Sequence, residues 1–255
     1  MKKTAIIVTA IVLAFIVAFV SLAVVLTFHA IAPHATPGAP VTPDAVETPT
    51  IAPTVAPTAT EAPIAAPVQS TTSSIVEALN SLYIEDGSNA STYERDLFGN
   101  PWEDVDNNGC DTRNDILNRD LINITYKTPG NVCVVQTGTL IDPYTGTTIN
   151  FIRGSGTSIA VPIDHVFPLS LSWQHGADEW DANTRVQFAN DPMNLIATTQ
   201  FENSQKGDSS PSEWLPADAS YHCEYLTDFV LVAQKYNLSI TFNDYDVAHD
   251  ILINC

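Results

Sequence analysis

A long stretch of Pro, Thr, Ala and Val, from Pro33 to about Ser74, limits where this chain can build a folded core. It contains three acidic residues and no aromatic residue. Such a composition favours extended, polyproline-like conformations and offers too little apolar surface to bury. We therefore expect a disordered linker over residues 33–74 and one folded domain over residues 75–255.

An apolar run from about Thr4 to Phe28 precedes the linker, and Lys2 and Lys3 flank it on the N-terminal side. A bilayer is crossed by about 20 such residues, and the positive flank predicts that the C-terminal part lies outside the membrane. Residues 1–32 are thus predicted to be a transmembrane signal anchor, with a signal peptide cleaved near Ala32 as the alternative. Both predict an extracellular domain, which is anchored to the membrane in the first case and secreted in the second.

Four cysteines indicate disulfide bonds in this exported domain. They are Cys110, Cys133, Cys223 and Cys255, and no two of them form a C-x-x-C pair, so zinc-binding and thioredoxin-like sites are poorly supported. Of the three pairings that four cysteines allow, Cys110 with Cys133 and Cys223 with Cys255 is favoured because each closes a short loop. The sequence alone leaves the pairing open.

The charge balance argues against a nucleic-acid partner. The chain has 10 Lys and Arg residues against 29 Asp and Glu residues, a formal net charge of −19. Binding to nucleic acid usually depends on Lys and Arg side chains that contact phosphates. A few local basic residues and a bound metal ion are nevertheless enough to make one cleft receptive to phosphate.

Periodicity predicts a mixture of helices and strands. A helix is expected from about Ile75, and a β-hairpin from Val132 around the turn-forming sequence DPYTG. An extended segment, SIAVPIDHVFPLS, runs into a helical one, LSWQHGADEW. A later amphipathic helix places Tyr225, Phe229 and Val232 on one face, and the segment DYDVAHDILINC predicts a closing helix. No internal repeat is present.

The most informative segment runs from residue 163 to residue 208. It contains the pair Asp164 and His165 at the end of a predicted strand, Asn194 about thirty residues later, and an N-x-x-K-G-D sequence that begins at Asn203. In this order and at these intervals, the segment resembles the ββα-metal finger of HNH endonucleases. The resemblance implies an α+β fold with a ββα-metal (HNH/His-Me) finger embedded in a small disulfide-stabilised domain.

The likeness extends beyond this finger. The segment YERDLFGNPWEDVDNNGCDTRNDILNRDL, the DPYTG hairpin, FANDPMNL, WLP and the final cysteines are similar to exported HNH proteins whose domain also occurs at the C-terminus of GmrSD-type restriction enzymes. It covers about Tyr93 to Cys255. It implies an HNH endonuclease over residues 75–255 that hydrolyses phosphodiester bonds of DNA, with RNA as an alternative. No feature indicates a protein partner.

Phosphodiester hydrolysis needs a base that activates water and a cation that neutralises developing charge. His165 suits the base, since histidine normally titrates near the operating pH. The resemblance implies that Asp164 and Asn203 bind Mg²⁺ or another divalent cation such as Mn²⁺. It also implies that Asn194 orients the loop that carries His165. The neighbours in a strand point to opposite sides, so one residue can hold metal while the other addresses water.

Lys206 and Arg113 are the candidates for binding phosphate. Lys206 lies within the N-x-x-K-G-D sequence, and Arg113 lies in the sequence CDTRND. A structural salt bridge is an equally good interpretation of Arg113 in so acidic a domain. Arg153, near the hairpin, is not assigned to a site.

A competing signal is the sequence DVDNNG, which begins at Asp104. It matches the start of an EF-hand calcium loop, with Asp115 at the twelfth position. Glutamate is usual at that position, however, and no clear helix precedes the loop. The alternative to an enzyme is therefore a non-catalytic, calcium-stabilised extracellular binding module. A degenerate HNH fold kept as a scaffold is a third hypothesis, and a polar turn pinned by the Cys110 disulfide explains the loop without calcium.

Overall fold

The computed structural model describes residues 69–88 and 90–255, and it is a mixed α/β structure with two disulfides. The helices are α1 (Gln69–Asn80), α2 (Thr112–Asp120), α3 (Leu169–Gln174), α4 (Ala182–Ala189), α5 (Gln200–Lys206), α6 (His222–Tyr236) and α7 (Phe242–Leu252). The strands are β1 (Leu121–Thr128), β2 (Asn131–Ile141), β3 (Thr148–Ile152), β4 (Ile163–His165) and β5 (Leu195–Ala197). Short 3-10 turns cover Ala90–Thr92, Arg95–Phe98, Ser158–Ala160, Ala177–Glu179, Pro192–Asn194 and Ala219–Tyr221.

Three antiparallel strands form the larger sheet, in the order β1-β2-β3. The DPYTG turn joins β2 to β3, which confirms the predicted hairpin. One face of the sheet packs against α2, where Ile116, Leu117, Val135 and Phe151 are buried. Strand β1 was not predicted, because its sequence LINITYKT has only one fully buried position, Leu121, and so lacks a clear alternating pattern.

Strands β4 and β5 form a separate two-stranded antiparallel sheet. Ile163 pairs with Ala197, and His165 pairs with Leu195. Helix α5 follows three residues after β5, and the hydroxyl of Thr199 caps its N-terminus by accepting a hydrogen bond from the Glu202 amide. Lys206 of α5 contacts both Asp164 and the carbonyl of His165, so the end of β4 lies beside α5.

The remaining helices surround a second apolar core. Helix α6 buries Tyr225, Phe229 and Val232 on one face, which confirms the predicted amphipathic helix, and α7 is the predicted closing helix. Helix α1 begins at Gln69, six residues before the predicted start at Ile75. This core lies against the loop after β4, where Val166 and Phe167 are buried within it, and so it supports the residues that follow His165.

Both disulfides have the pairing that the sequence favoured. Cys110–Cys133 joins the loop before α2 to β2, and Cys223–Cys255 joins the start of α6 to the C-terminus. Within the described ranges no helix is long and apolar enough to cross a membrane. The predicted anchor over residues 1–32 lies outside those ranges, as does most of the predicted linker.

Candidate active site

His165 ends strand β4 and has one nitrogen committed to the backbone. Its Nε2 lies 2.9 Å from the carbonyl oxygen of Ala189, and 8% of the residue is exposed. A carbonyl oxygen only accepts hydrogen bonds, so Nε2 carries the proton and Nδ1 of the neutral ring is left as an acceptor. Burial lowers the pKa of His165 to about 4. The imidazole is therefore neutral at pH 7 and able to take up a proton.

A cavity of about 150 Å³ adjoins His165, and we call it the His165 cavity. Arg95, Asp96, Trp102 and Asn190 line it together with the imidazole. The Arg95 side chain is exposed, and its charge contributes, after desolvation, to the lowered pKa of His165. The sequence interpretation did not identify Arg95, although it lies inside a segment that carries the family resemblance. The spacing gave no sign that this arginine would lie beside His165.

The segment from Arg95 to Gly99 forms one wall of the His165 cavity, and close packing fixes its position. Phe98 ends the 3-10 turn that begins at Arg95, is 2% exposed, and has its ring 6.2 Å from that of Phe188 in α4. The next residue, Gly99, has a φ of 81°, and a Cβ there would lie 2.5 Å from Cγ2 of Val186. Any other residue at this position would meet both a strained backbone and a clash. The backbone of this wall is thus held against α4.

Asn194 clamps the chain that follows His165. Its side chain accepts a hydrogen bond from the amide of Phe167 at 2.7 Å and donates one to the carbonyl of the same residue at 3.1 Å. Its own carbonyl accepts from the amide of Val166 at 2.8 Å, and the residue is fully buried. Asn194 is therefore tied to the two residues that follow His165 in the chain.

Asp164 occupies a closed, polar environment. Its Oδ2 accepts a hydrogen bond from the Tyr144 hydroxyl at 2.7 Å and lies 3.0 Å from Nζ of Lys206. The same ammonium lies 3.3 Å from Oδ1 and donates to the carbonyl of His165 at 2.7 Å. Asp164 is 5% exposed and Lys206 is 1% exposed. Lys206, for which a phosphate contact was predicted, is thus buried with its ammonium beside three oxygen atoms of Asp164 and His165.

One of the two predicted metal ligands, Asp164, is already paired with a cation of the protein itself. Asn203 lies partly buried on α5, one turn before Lys206. Its amide oxygen and the carboxylate of Asp164 are suitable ligand types for Mg²⁺. As arranged, however, the two residues do not fit a divalent cation, because the Lys206 ammonium already neutralises their one carboxylate. Across the part of the chain that the structure describes, no group of three or more His, Cys, Asp and Glu side chains is placed to hold a metal ion.

Arg113 is also committed within the protein. Its guanidinium donates to the carbonyls of Val161 at 2.8 Å and Ser158 at 3.3 Å, and it lies 5.9 Å from the ring centre of Trp102. Burial lowers its pKa. Arg113, for which a phosphate contact was predicted, therefore lies beside Trp102, which lines the His165 cavity, and binds carbonyl oxygens of the protein there.

The DVDNNG sequence forms a turn that satisfies its own backbone. The carboxylate of Asp104 accepts hydrogen bonds from the amides of Asn108 at 3.1 Å and Gly109 at 2.9 Å. Asp106 accepts a second bond from the Asn108 amide, at 3.1 Å. Cys110, which follows directly, is disulfide-bonded. This arrangement agrees with the polar turn that was the alternative to a calcium loop.

The chain resembles a known protein family over more than half of its length. A family model described as GmrSD restriction endonucleases, C-terminal domain, matches residues 111–246. The match includes every predicted catalytic, metal-binding and phosphate-binding residue, whereas Arg95 lies before it. A protein of Arthroderma benhamiae (strain ATCC MYA-4681 / CBS 112371), described as an uncharacterized secreted protein, is 33% identical over 187 residues, which cover 72% of this chain and 86% of that protein. No solved structure gave a significant match.

Proposed function

Because this chain belongs to the family of the C-terminal domain of GmrSD restriction endonucleases, we propose that it is an HNH endonuclease that hydrolyses phosphodiester bonds of DNA. The observation that carries the proposal is the state of His165. Its imidazole is neutral, its Nε2 is anchored to the Ala189 carbonyl, and it borders a cavity that also contains an arginine. RNA is the alternative substrate.

In this proposal His165 is the general base. Its Nδ1 takes a proton from a water molecule, the resulting hydroxide attacks phosphorus, the bond from phosphorus to the leaving oxygen breaks, and that oxygen leaves as an alcohol after taking a proton from solvent water. A phosphate anion beside the ring raises the pKa of His165 from its low value, because a neighbouring opposite charge favours the protonated form. General base catalysis of this kind contributes about 10²- to 10⁴-fold to the rate.

Strands β4 and β5 with helix α5 are the counterpart of the ββα finger in this proposal. Helices α3 and α4 lie between the two strands in the chain, and the three elements carry His165, Asn194 beside β5, and Asn203 in the order that the family resemblance implies. Asn194 acts as a positioning residue through its clamp on Phe167. No step of the proposal passes through a metal ion, because Asp164 is paired with Lys206.

We further propose that the enzyme acts outside the cell. Two disulfides favour an oxidising compartment. The N-terminal apolar run predicts export, and the Arthroderma benhamiae relative is described as secreted. The acidic composition is compatible with a nuclease if the substrate binds in one cleft, because the rest of the surface then does not have to be basic.

The test is cleavage of supercoiled plasmid DNA by the full-length chain. Reactions contain Mg²⁺ or, in parallel, Mn²⁺, since these are the cations expected for the family, and a single-stranded RNA is tested under the same conditions. The matched control for His165→Ala is His222→Ala, because Nε2 of His222 also lies close to a backbone carbonyl, that of Pro216 at 2.8 Å, yet the residue does not line the His165 cavity.

We expect the wild type to nick the plasmid, His165→Ala to be at least 10²-fold slower, and His222→Ala to cleave at close to the wild-type rate. Absence of cleavage of both nucleic acids by the wild type would contradict the proposal. Equal rates for His165→Ala and the wild type would contradict the role of His165.

A further inference from the structure

Few basic side chains are available to a substrate in this acidic domain. The described residues include eight Lys and Arg side chains, and six of them bind acidic side chains or carbonyl oxygens within the domain. These six are Arg113, Arg119, Arg153, Arg185, Lys206 and Lys235. Of the other two, Lys127 is exposed on β1, and Arg95 is exposed at the His165 cavity, where its side chain also interacts with the Tyr93 hydroxyl.

Arg95 has a side chain that is suited to binding phosphate, and it lies beside His165. It lines the same cavity as His165 and lies near enough for its charge to lower the pKa of the imidazole. Its backbone belongs to the wall that Phe98 and Gly99 hold against α4. A guanidinium presents a planar set of donors that matches two oxygens of one phosphate, and an ordered backbone reduces the entropy lost when it binds.

Asn190 gives a second, independent indication that this cavity binds a ligand. The residue lines the cavity and is 1% exposed, and its Nδ2 donates to the carbonyl of Val186 at 3.0 Å. That bond fixes the orientation of the amide, and Oδ1 then has no hydrogen-bond partner among the described residues. A buried acceptor of this kind requires a donor. Asn190 lines the same cavity as His165, so this unsatisfied acceptor belongs to a residue of the proposed site.

We propose that Arg95 binds a non-bridging oxygen of the scissile phosphate in the His165 cavity, and that Lys206 and Arg113 do not contact the substrate. This inference rests on the proposed endonuclease function and assigns its phosphate-binding residue. Asp96, which lines the same cavity, opposes an anion there. The phosphate site therefore depends on the Arg95 guanidinium. Removing the negative charge of Asp96 should strengthen phosphate binding, and this expectation can be tested.

The first experiment measures kcat/KM for plasmid cleavage by the full-length chain and three variants. Arg95→Gln removes the charge, Arg95→Lys keeps the charge without the planar fork, and Lys127→Gln removes one exposed charge away from the cavity. We expect kcat/KM to fall about 10²-fold in Arg95→Gln and about tenfold in Arg95→Lys, and to change less than twofold in Lys127→Gln. Equal losses in Arg95→Gln and Lys127→Gln would show a bulk charge effect and overturn the inference.

The second experiment does not depend on activity. Binding of inorganic phosphate to the full-length chain is measured by titration calorimetry at low ionic strength. We expect phosphate binding to be lost in Arg95→Gln, unchanged in Lys127→Gln, and two- to threefold tighter in Asp96→Asn. Arg95-dependent phosphate binding without any cleavage would support the phosphate site while the proposed function fails. Cleavage that requires His165 but is unchanged in Arg95→Gln, with phosphate bound as tightly as by the wild type, would overturn the inference and leave the function standing.

Discussion

Asp164 and His165 are adjacent in strand β4, yet they lie in opposite kinds of environment. Asp164 is enclosed, with its carboxylate shared between the Tyr144 hydroxyl and the Lys206 ammonium. His165 borders an open cavity with Arg95, and its Nδ1 is left as an acceptor. Alternation along an extended strand produces this contrast, since successive side chains point to opposite faces.

In the proposed mechanism, an internal ion pair supports the reactive imidazole without taking part in its chemistry. The ammonium of Lys206 that pairs with Asp164 also donates to the backbone carbonyl of His165 at 2.7 Å. Asn194 holds the residues that follow His165 through the backbone of Phe167. The position of the imidazole thus depends on the enclosed side of the strand, where Asp164 lies. Substitutions on this side and on the open side, where His165 lies, should therefore have different effects.

The largest effect is expected from Lys206→Met. This change leaves the Asp164 carboxylate buried without its counter-charge, and loss of one partner of a buried ion pair costs about 3–5 kcal/mol. The free energy of unfolding in urea, with both disulfides intact, measures it. The double variant Asp164→Asn with Lys206→Met removes the charge as well and should recover most of the loss. If the double variant is no more stable than Lys206→Met alone, the pair is not the reason for the loss.

The environment of His165, on the open side of the strand, can be tested by the pH dependence of the free energy of unfolding. The folded-state pKa of His165 is about 4, below its ordinary value of 6.5, so between these values the unfolded chain binds the extra proton. The buried neutral imidazole of His165 therefore makes its full contribution to stability above pH 6.5, and this contribution is lost as the pH falls towards 4. The difference between the two pKa values corresponds to roughly 3 kcal/mol at most. His165→Gln does not titrate, and the difference between the unfolding free energies of wild type and variant should change over this window. A difference that is constant from pH 7 to pH 4 would contradict the buried, neutral imidazole.

Asn194→Ala perturbs the clamp behind His165. It removes two hydrogen bonds to the backbone of Phe167 and leaves both groups buried, which should lower the free energy of unfolding by about 2 kcal/mol. If Asn194 positions the base, kcat should fall more than KM rises at a temperature where the variant is fully folded. A variant that is destabilised but keeps the wild-type kcat would leave Asn194 with a structural role alone.

The smallest effect is expected from Tyr144→Phe. It deletes the hydroxyl that donates to Asp164 and leaves the ion pair with Lys206 in place, so the loss should be about 1.5 kcal/mol in urea unfolding. Because this hydroxyl lies on the closed side, kcat/KM for plasmid cleavage should stay within about twofold of wild type. A loss in kcat/KM as large as that of Arg95→Gln would show that the two sides are not separate.

Elements with a strong local pattern could be predicted from the sequence. The apolar period of the segment around Phe229 predicted helix α6, and the turn-forming DPYTG predicted the hairpin of β2 and β3. Short loop closure favoured the disulfide pairing that the structure has. The prediction that Asn194 lies near the His165 loop came from the family resemblance, which fixes the order and interval of the two residues.

The partners of the charged residues could not be predicted, because they depend on contacts between distant segments. Lys206 meets Asp164 across 42 residues, since α5 packs against β4. Arg95 reaches the cavity of His165 because Phe98 and Gly99 seat its segment on α4. A lysine in an N-x-x-K-G-D sequence and an arginine in a loop look equally suitable for phosphate, and only the packing shows which one is buried.

The most direct test of the account is chemical rescue of the base. His165→Gly removes the imidazole and leaves space beside a cavity of about 150 Å³, and plasmid cleavage by the full-length variant is measured with increasing concentrations of free imidazole. The account predicts a loss of at least 10²-fold that added imidazole partly restores, with a rate that follows the concentration of neutral imidazole. Cleavage by His165→Gly at the wild-type rate without imidazole would contradict it.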